Sequence, residues 1–161
     1  DCPQNLNCFH DLDEGLAYAK ARNMPVFLDF TGYACVNCRK MEEHVWVKED
    51  VYAILSKEYV VISLYVDDKT ELPENEQVTL TFKTGGQKKI RTKGDKWAFF
   101  QTDNFNNNSQ PWYALLTNTG TLLNTPVGYT PEVKDYVNFL QCGLDAYKAA
   151  EGKELIGKVE K

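Results

Sequence analysis

Two of the five cysteines, Cys35 and Cys38, form the only Cys-x-x-Cys pair in the sequence. Such a pair can exchange a disulfide with another protein, supply half of a structural zinc site, or be chemically inert. Cys2 and Cys8 could in principle supply two more zinc ligands, but their five intervening residues are a wide spacing for a zinc knuckle. The sequence around Cys35 therefore favours redox chemistry.

A strand and a helix are predicted to position this pair. Residues 25–31 are apolar on both faces, which is typical of a central strand covered on each side. The spacing then predicts a helix over residues 35–45, with Cys38 and Glu42 on one side. Cys35 lies at the N-terminus of this helix, where about half a positive charge favours a thiolate. We expect Cys35 to attack a disulfide and Cys38 to resolve the mixed disulfide.

Two carboxylates are placed to handle the proton of the resolving thiol. Asp29 lies in the apolar strand six residues before Cys35, where desolvation would raise its pKa. Glu42 lies one helical turn beyond Cys38 on the same face. Either carboxylate could accept the proton that Cys38 must lose. The alternatives are a hydrogen-bonded core carboxylate at Asp29 and a solvated helix residue at Glu42.

The remaining elements indicate a mixed α/β sheet with helices on both faces. We predict helices over residues 11–22, 48–59 and 131–150, and strands over 60–66, 112–116 and 122–127. Residues 68–109 are polar and are interpreted as an insertion, with a hairpin of strands 78–82 and 88–92 and a short helix over 94–101. The basic residues of this insertion form either a solvated face or a docking patch. We expect residues 151–161 to form a flexible tail.

Length and composition limit the class of protein. The 161 residues suit one domain, and the net charge of −5 argues against a dedicated nucleic-acid binder. No apolar run approaches the roughly 20 residues needed to cross a bilayer, and the N-terminus lacks a secretory signal. We therefore expect any targeting or membrane segment to have been removed or to lie outside this sequence, and the domain itself not to insert into the membrane. We also expect the domain to be a monomer.

The other cysteines and the histidines are given structural roles. Cys2 and Cys8 could close a short surface disulfide in an oxidising compartment. Cys142, in the last predicted helix, is expected to be a buried small hydrophobe. His10 and His44 show no partner pattern, and we expect them to be surface or packing residues.

The run from Phe27 to Glu42, FLDFTGYACVNCRKME, resembles the active-site region of thioredoxin-fold proteins. Over about residues 9–148 the sequence is most similar to the C-terminal periplasmic domain of the thiol:disulfide interchange protein DsbD family, in the form found in Bacteroidetes-type bacteria. The resemblance implies a thioredoxin-like fold with the hairpin inserted before the cis-proline strand. It also implies a protein-disulfide reductase, the soluble periplasmic domain of an inner-membrane protein, that takes electrons from a membrane-embedded donor domain and passes them to periplasmic disulfide-containing proteins.

The resemblance also assigns roles to individual residues. The attacking cysteine of the family falls on Cys35, the resolving cysteine on Cys38, and the two carboxylates on Asp29 and Glu42. No metal or organic cofactor is then required, because the Cys35–Cys38 disulfide itself carries the electrons.

The substrate-binding residues are implied in the same way. The cis-proline of the family falls on Pro111, so the backbone of Gln110 could pair with an extended substrate segment by strand addition. The alternative is an ordinary trans proline in a turn. Tyr33 and Ala34 precede Cys35 at the rim. Because many relatives have Trp at the position of Ala34, we expect a reshaped apolar rim.

Two other functions stay open at this point. The first is an oxidase or isomerase with the same fold, because the reduction potential of a Cys-x-x-Cys pair varies with its environment from about −270 to −120 mV. A non-catalytic interaction module, whose insertion docks a partner, is the other.

Overall fold

A four-stranded mixed sheet lies at the centre of the molecule. The structure is a computed structural model that describes residues 2–150. Its strands are β1 (Cys8–Phe9), β2 (Val26–Thr31), β3 (Val60–Tyr65), β4 (Val78–Thr81), β5 (Gln87–Ile90) and β6 (Trp112–Leu116). Its α-helices are α1 (Leu12–Arg22), α2 (Val36–His44), α3 (Glu49–Lys57), α4 (Lys93–Phe105) and α5 (Val133–Ala150). The central sheet has the order β1-β3-β2-β6, and β4 pairs with β5 as a separate hairpin.

The two inner strands are covered on both faces, as their sequences predict. Every residue of β2 and of β3 is buried, and the two strands run parallel. The final strand, β6, runs antiparallel to β2, with Asp29 opposite Tyr113. Asp29 is also level with Ser63 of β3. The sheet therefore places a carboxylate between two polar neighbours inside an otherwise apolar layer.

Two hydrophobic layers sandwich the sheet. On one face Phe27 packs in a cluster with residues of α2, α3 and α5, including Met41 and Tyr136. On the other face Leu28 packs in a cluster with residues of α1 and α4, including Trp97. Because each fully buried side chain of this size contributes about 1.5–3 kcal/mol, both layers hold the sheet firmly.

The helix of the insertion, α4, is longer than the predicted span of 94–101. A capping box between Thr92 and Asp95 starts it, and its buried aromatic residues extend the apolar face. Gly94 lies against the backbone of Val66 and Asp68, where a side-chain carbon would meet backbone atoms at 2.6–2.7 Å. This close approach joins α4 to the end of β3, so part of the insertion is a layer of the core.

Two sequence predictions are wrong. Residues 122–127 form only isolated bridges to β6, at Leu122 and Val127. Pro126 lacks the N–H that a continuous ladder would need. Cys142 is exposed, not buried, because the inward residues of α5 recur at Tyr136 and Leu140, and position 142 falls on the opposite side of the helix. The predicted tail at 151–161 lies outside the described residues.

Candidate active site

The two cysteines of the Cys-x-x-Cys pair lie at different depths at the start of α2. Cys35 is the half-buried N-cap residue, and its Sγ accepts a 3.1 Å hydrogen bond from the backbone N–H of Cys38. Cys38 is 1% exposed, and the two sulfurs form a disulfide. The first turn of α2 has no acidic residue to offset its partial positive charge. This environment favours a thiolate at Cys35 when the pair is reduced.

Asp29 is buried in the strand that leads to the cysteines. Its exposure is 2%, and Ser63 Oγ donates a 2.9 Å hydrogen bond to Asp29 Oδ2. Burial raises the pKa of Asp29 from 3.8 to about 7, an effect that the Ser63 hydrogen bond and Arg39 oppose and that the charge of Glu42 reinforces. By strand alternation Asp29 shares the face of β2 with Phe27, which α2 covers.

Glu42 is also buried, at 6% exposure, so the alternative of a solvated helix residue is excluded. Its Oε2 lies 3.1 Å from Arg39 Nη2 in an ion pair. Burial raises the pKa of Glu42, and the Arg39 charge opposes this shift. Arg39 also donates 3.1 Å hydrogen bonds to Thr31 Oγ1 and to the carbonyl of Gly32. Arg39 therefore fixes the first turns of α2 to the end of β2.

The rim before Cys35 is held by two residues that sequence reasoning missed. The backbone N–H groups of Tyr33 and Ala34 donate to the two carboxylate oxygens of Asp67, at 2.9 and 3.2 Å. The Tyr33 ring stacks on Tyr65 with centroids 4.1 Å apart. Tyr33 stays 61% exposed. Asp67 could have been found from the topology, because β2 and β3 are parallel and Asp67 follows β3 at the end of the sheet where β2 also ends.

The structure has a cis peptide bond between Gln110 and Pro111. Trp112 pairs with Phe30 in the antiparallel ladder, so Pro111 is level with Thr31. Pro111 therefore lies at the end of the sheet where β2 leads into Cys35 and α2. The side chain of Gln110 donates a 2.8 Å hydrogen bond to Gln101 Oε1.

Gln101 is fully buried and holds the loop that precedes β6. Its amide donates to Asn107 Oδ1 at 3.0 Å and to the carbonyl of Ser109 at 2.8 Å. Sequence reasoning did not single out Gln101, because a glutamine near the end of a helix carries no local signal of burial.

The remaining cysteines and histidines lie elsewhere. Cys2 and Cys8 form a disulfide, and His44 is exposed at the end of α2. Within residues 2–150, a possible metal-ligating group combines Cys2 and Cys8 with His10 rather than with the Cys-x-x-Cys pair. Within this part of the chain, the two cysteine pairs do not come together in one group of metal-ligating residues.

Comparison with known proteins agrees with this geometry. The sequence profile described as a thioredoxin-like domain matches residues 12–141. The chain belongs to this family. A search of curated protein sequences gave no match. Among the helices of residues 2–150, none is both long and apolar enough to cross a membrane.

Solved structures of thioredoxin-like proteins superpose on most of the chain. DsbH oxidoreductase is 16% identical with a TM-score of 0.59, and the match covers 90% of each chain. A thioredoxin from Thermus thermophilus is 18% identical with a TM-score of 0.58, over 86% of each chain. The reduced DsbD C-terminal domain of Neisseria meningitidis is 14% identical with a TM-score of 0.52, over 83% of this chain and 96% of that one. The predicted thioredoxin-like fold is confirmed.

Proposed function

We propose that this domain is a protein-disulfide reductase that uses Cys35 and Cys38. The observation that carries the proposal is the difference in depth between the sulfurs. Cys35 is accessible and its sulfur accepts the Cys38 N–H, whereas Cys38 is 1% exposed. An accessible, stabilised thiolate suits attack on a partner, and a buried thiol suits the second, intramolecular step.

The proposed reaction has two exchange steps. The Cys35 thiolate attacks one sulfur of a substrate disulfide, forms a mixed disulfide and releases the other substrate sulfur as a thiolate. Cys38 then loses its proton, attacks Cys35 Sγ and releases the second substrate thiolate. The substrate disulfide gains two electrons, and the Cys35–Cys38 dithiol becomes a disulfide. These steps need no metal or organic cofactor.

Asp29 is proposed as the acceptor of the Cys38 proton. A pKa of about 7 means that Asp29 is ionised in about half of the molecules near neutral pH, so it can both take up and release a proton there. Glu42 is proposed as a second, weaker contributor, since its ion pair with Arg39 favours its ionised form.

The same carboxylates support a reducing rather than an oxidising role. An oxidant such as DsbA is strong because its reduced, thiolate form is stabilised. Here two buried carboxylates flank the cysteines in the chain, Asp29 in the strand before Cys35 and Glu42 in the helix that contains Cys38. Negative charge on these carboxylates opposes a thiolate at the buried Cys38, whereas the N-terminus of α2 stabilises one at Cys35. A less stable Cys38 thiolate favours the disulfide form and makes the dithiol a better electron donor.

The partners are proposed from the resemblance to the DsbD family. In this proposal a membrane-embedded donor domain reduces the Cys35–Cys38 disulfide, and periplasmic disulfide-containing proteins are the acceptors. The substrate would contact the exposed Tyr33 and the neighbouring Ala34 on one side of Cys35, and the Gln110–Pro111 segment on the other.

The reduction potential tests the direction of electron flow. The full chain is equilibrated with a glutathione buffer or a lower-potential dithiol buffer, and the reduced fraction is measured by thiol alkylation and mass spectrometry. We expect a potential below about −180 mV for Cys35–Cys38. A value near −120 mV would contradict the reductase function and support an oxidase. Undiminished exchange by a Cys35→Ser/Cys38→Ser variant would instead support a non-catalytic interaction module.

A further inference from the structure

A second group of potential ligands lies outside the Cys-x-x-Cys site. The ligand atoms of Cys2, Cys8 and His10 all lie within 4.8 Å of one another. Strand β1 holds two of the three in place, because Cys8 pairs with Val61 of β3 and His10 follows directly after β1. In the structure the two cysteines form a disulfide.

The imidazole of His10 is oriented as a metal ligand would be. Its Nδ1 lies 3.1 Å from the backbone carbonyl oxygen of Ser63, and a carbonyl oxygen only accepts, so Nδ1 carries the proton. The ring also packs against Tyr65, with centroids 5.6 Å apart. In the neutral ring Nε2 then has a free lone pair, and it lies 3.9 Å from Cys8 Sγ. A backbone carbonyl that fixes the tautomer from behind is a common feature of histidines that bind metals.

We propose that Cys2, Cys8 and His10 bind one Zn²⁺ ion when the Cys2–Cys8 disulfide is reduced. Two thiolates and one imidazole are preferred zinc ligands, and a water molecule can complete the tetrahedron. Zinc bond lengths of about 2.3 Å to sulfur and about 2.0 Å to nitrogen require sulfur and nitrogen to be about 3.5 Å apart. The observed 3.9 Å between Cys8 Sγ and His10 Nε2 is within a small side-chain movement of that distance.

The proposed site is controlled by redox state. A dithiol reductant supplies two electrons and two protons to Cys2–Cys8 and is itself oxidised to a disulfide. Zn²⁺ then displaces the two thiol protons as it binds the sulfurs. A low-molecular-weight disulfide then accepts two electrons from the two sulfurs and is reduced to two thiols, while the Cys2–Cys8 disulfide forms again and Zn²⁺ is released. Metal binding and the disulfide are therefore mutually exclusive states of this site, independent of the reductase function proposed above.

The test uses a full-length Cys35→Ser/Cys38→Ser parent, so that the other pair cannot bind metal. The parent is reduced with a phosphine and titrated with Zn²⁺ against a chromophoric chelator, and in parallel with Co²⁺ under an absorption spectrometer. We expect one Zn²⁺ per chain and a thiolate-to-cobalt charge-transfer band. The oxidised parent should bind no Zn²⁺.

Matched variants separate ligation from packing. His10→Phe keeps a ring against Tyr65 but has no nitrogen, and we expect it to weaken Zn²⁺ binding at least about tenfold. Cys142→Ser, which removes an exposed cysteine outside the site, should leave binding unchanged.

Three results would overturn the proposal: binding that His10→Phe does not change, binding that Cys142→Ser abolishes, or no stoichiometric binding. Circular dichroism of the reduced parent monitors the fold. Loss of the fold on reduction would also overturn it, because the site needs β1 in place.

Discussion

The two disulfides of this chain have the same chemical bond in contrasting surroundings. Cys35 precedes the nine-residue helix α2, and its sulfur accepts a backbone N–H. Cys2 precedes a single 3₁₀ turn, and its side chain accepts no hydrogen bond from that turn. Cys38 is deeply buried beneath its partner, whereas Cys2 and Cys8 are both half-buried. The comparison indicates that surroundings, more than pairing, determine which disulfide can exchange.

The two pairs also differ in the groups that can move a proton. The Cys35–Cys38 pair has two buried carboxylates nearby in the chain, Asp29 in β2 and Glu42 in α2. The Cys2–Cys8 pair has the exposed His10, whose Nδ1 faces a carbonyl oxygen. The first arrangement suits repeated exchange, and the second suits a cross-link that opens rarely.

The largest expected effect separates the two pairs directly. Cys38→Ala should leave attack intact but abolish resolution, because the described structure shows no other thiol one helical turn from Cys35. A covalent mixed disulfide with a substrate protein should accumulate on non-reducing gels. Cys35→Ala should trap little or nothing.

The matched control for this experiment is the other disulfide. A Cys2→Ser/Cys8→Ser variant should turn over a model disulfide substrate at the rate of the wild type. Equal loss of turnover in the Cys2→Ser/Cys8→Ser and Cys35→Ser/Cys38→Ser variants would contradict the distinction between the two pairs.

The second effect concerns the buried carboxylate beside the exchanging pair. Asp29→Asn should slow resolution on the order of a hundredfold near neutral pH, as expected for loss of a general base. In the wild type the rate should rise with pH through about 7, as Asp29 ionises. The difference between the two proteins should shrink at higher pH, where Cys38 deprotonates directly. Stopped-flow measurement of substrate thiol release across pH tests this profile.

Stability provides the control for Asp29→Asn. The pKa of Asp29 is raised on folding, so ionisation destabilises the native state as pH rises from about 4 to about 7. The variant lacks this penalty. Across that pH range, the free energy of unfolding of the variant should rise relative to that of the wild type by on the order of 4 kcal/mol. Urea unfolding at pH 4 and pH 8 measures the change, and a slower variant that is also less stable at pH 8 would argue against a proton-transfer role.

The third effect is structural and concerns the N-terminal pair alone. The Cys2–Cys8 disulfide closes a short loop whose Leu6 is buried and whose Gln4 donates to the backbone carbonyl of Glu42. Loop closure of this length stabilises a fold by about 2 kcal/mol. The Cys2→Ser/Cys8→Ser variant should lose about that much in urea unfolding, with exchange unchanged. A stability equal to that of the wild type would mean that the loop packs equally well without its cross-link.

Local patterns in the sequence were sufficient for the order of elements and for the residues within one strand and one helix. The sequence of β2 is apolar except for Asp29 and the terminal Thr31, and the Cys-x-x-Cys pair lies at the start of the next helix. Side-chain spacing of three and four residues placed Cys38 and Glu42 on one face. Each of these features depends on residues close in the chain, so periodicity alone can predict it.

The missed features depend on contacts between distant residues. Asp67 binds backbone groups 33 and 34 positions earlier, and Gln101 supports the loop before Pro111. No local pattern encodes such pairs. The prediction that Cys142 is buried follows from its residue type and is wrong, because the phase of α5 places Cys142 on the side of the helix opposite the inward residues. For a small residue in a helix, helical phase predicts burial better than residue type does.

The smallest expected effect sharpens the contrast between the two carboxylates. Glu42 already has a cationic partner, Arg39, at 3.1 Å, and Arg39 is about one-third exposed. Glu42→Gln removes only the second, weaker proton acceptor of the proposal and leaves the partly exposed Arg39 in contact with water, so exchange should slow no more than about fivefold. Arg39 keeps its hydrogen bonds to Thr31 and Gly32, so α2 should stay in place. If Glu42→Gln slowed resolution as much as Asp29→Asn and removed the same pH dependence, Glu42 rather than Asp29 would be the proton acceptor, and the ion pair with Arg39 would be the feature that holds it ready.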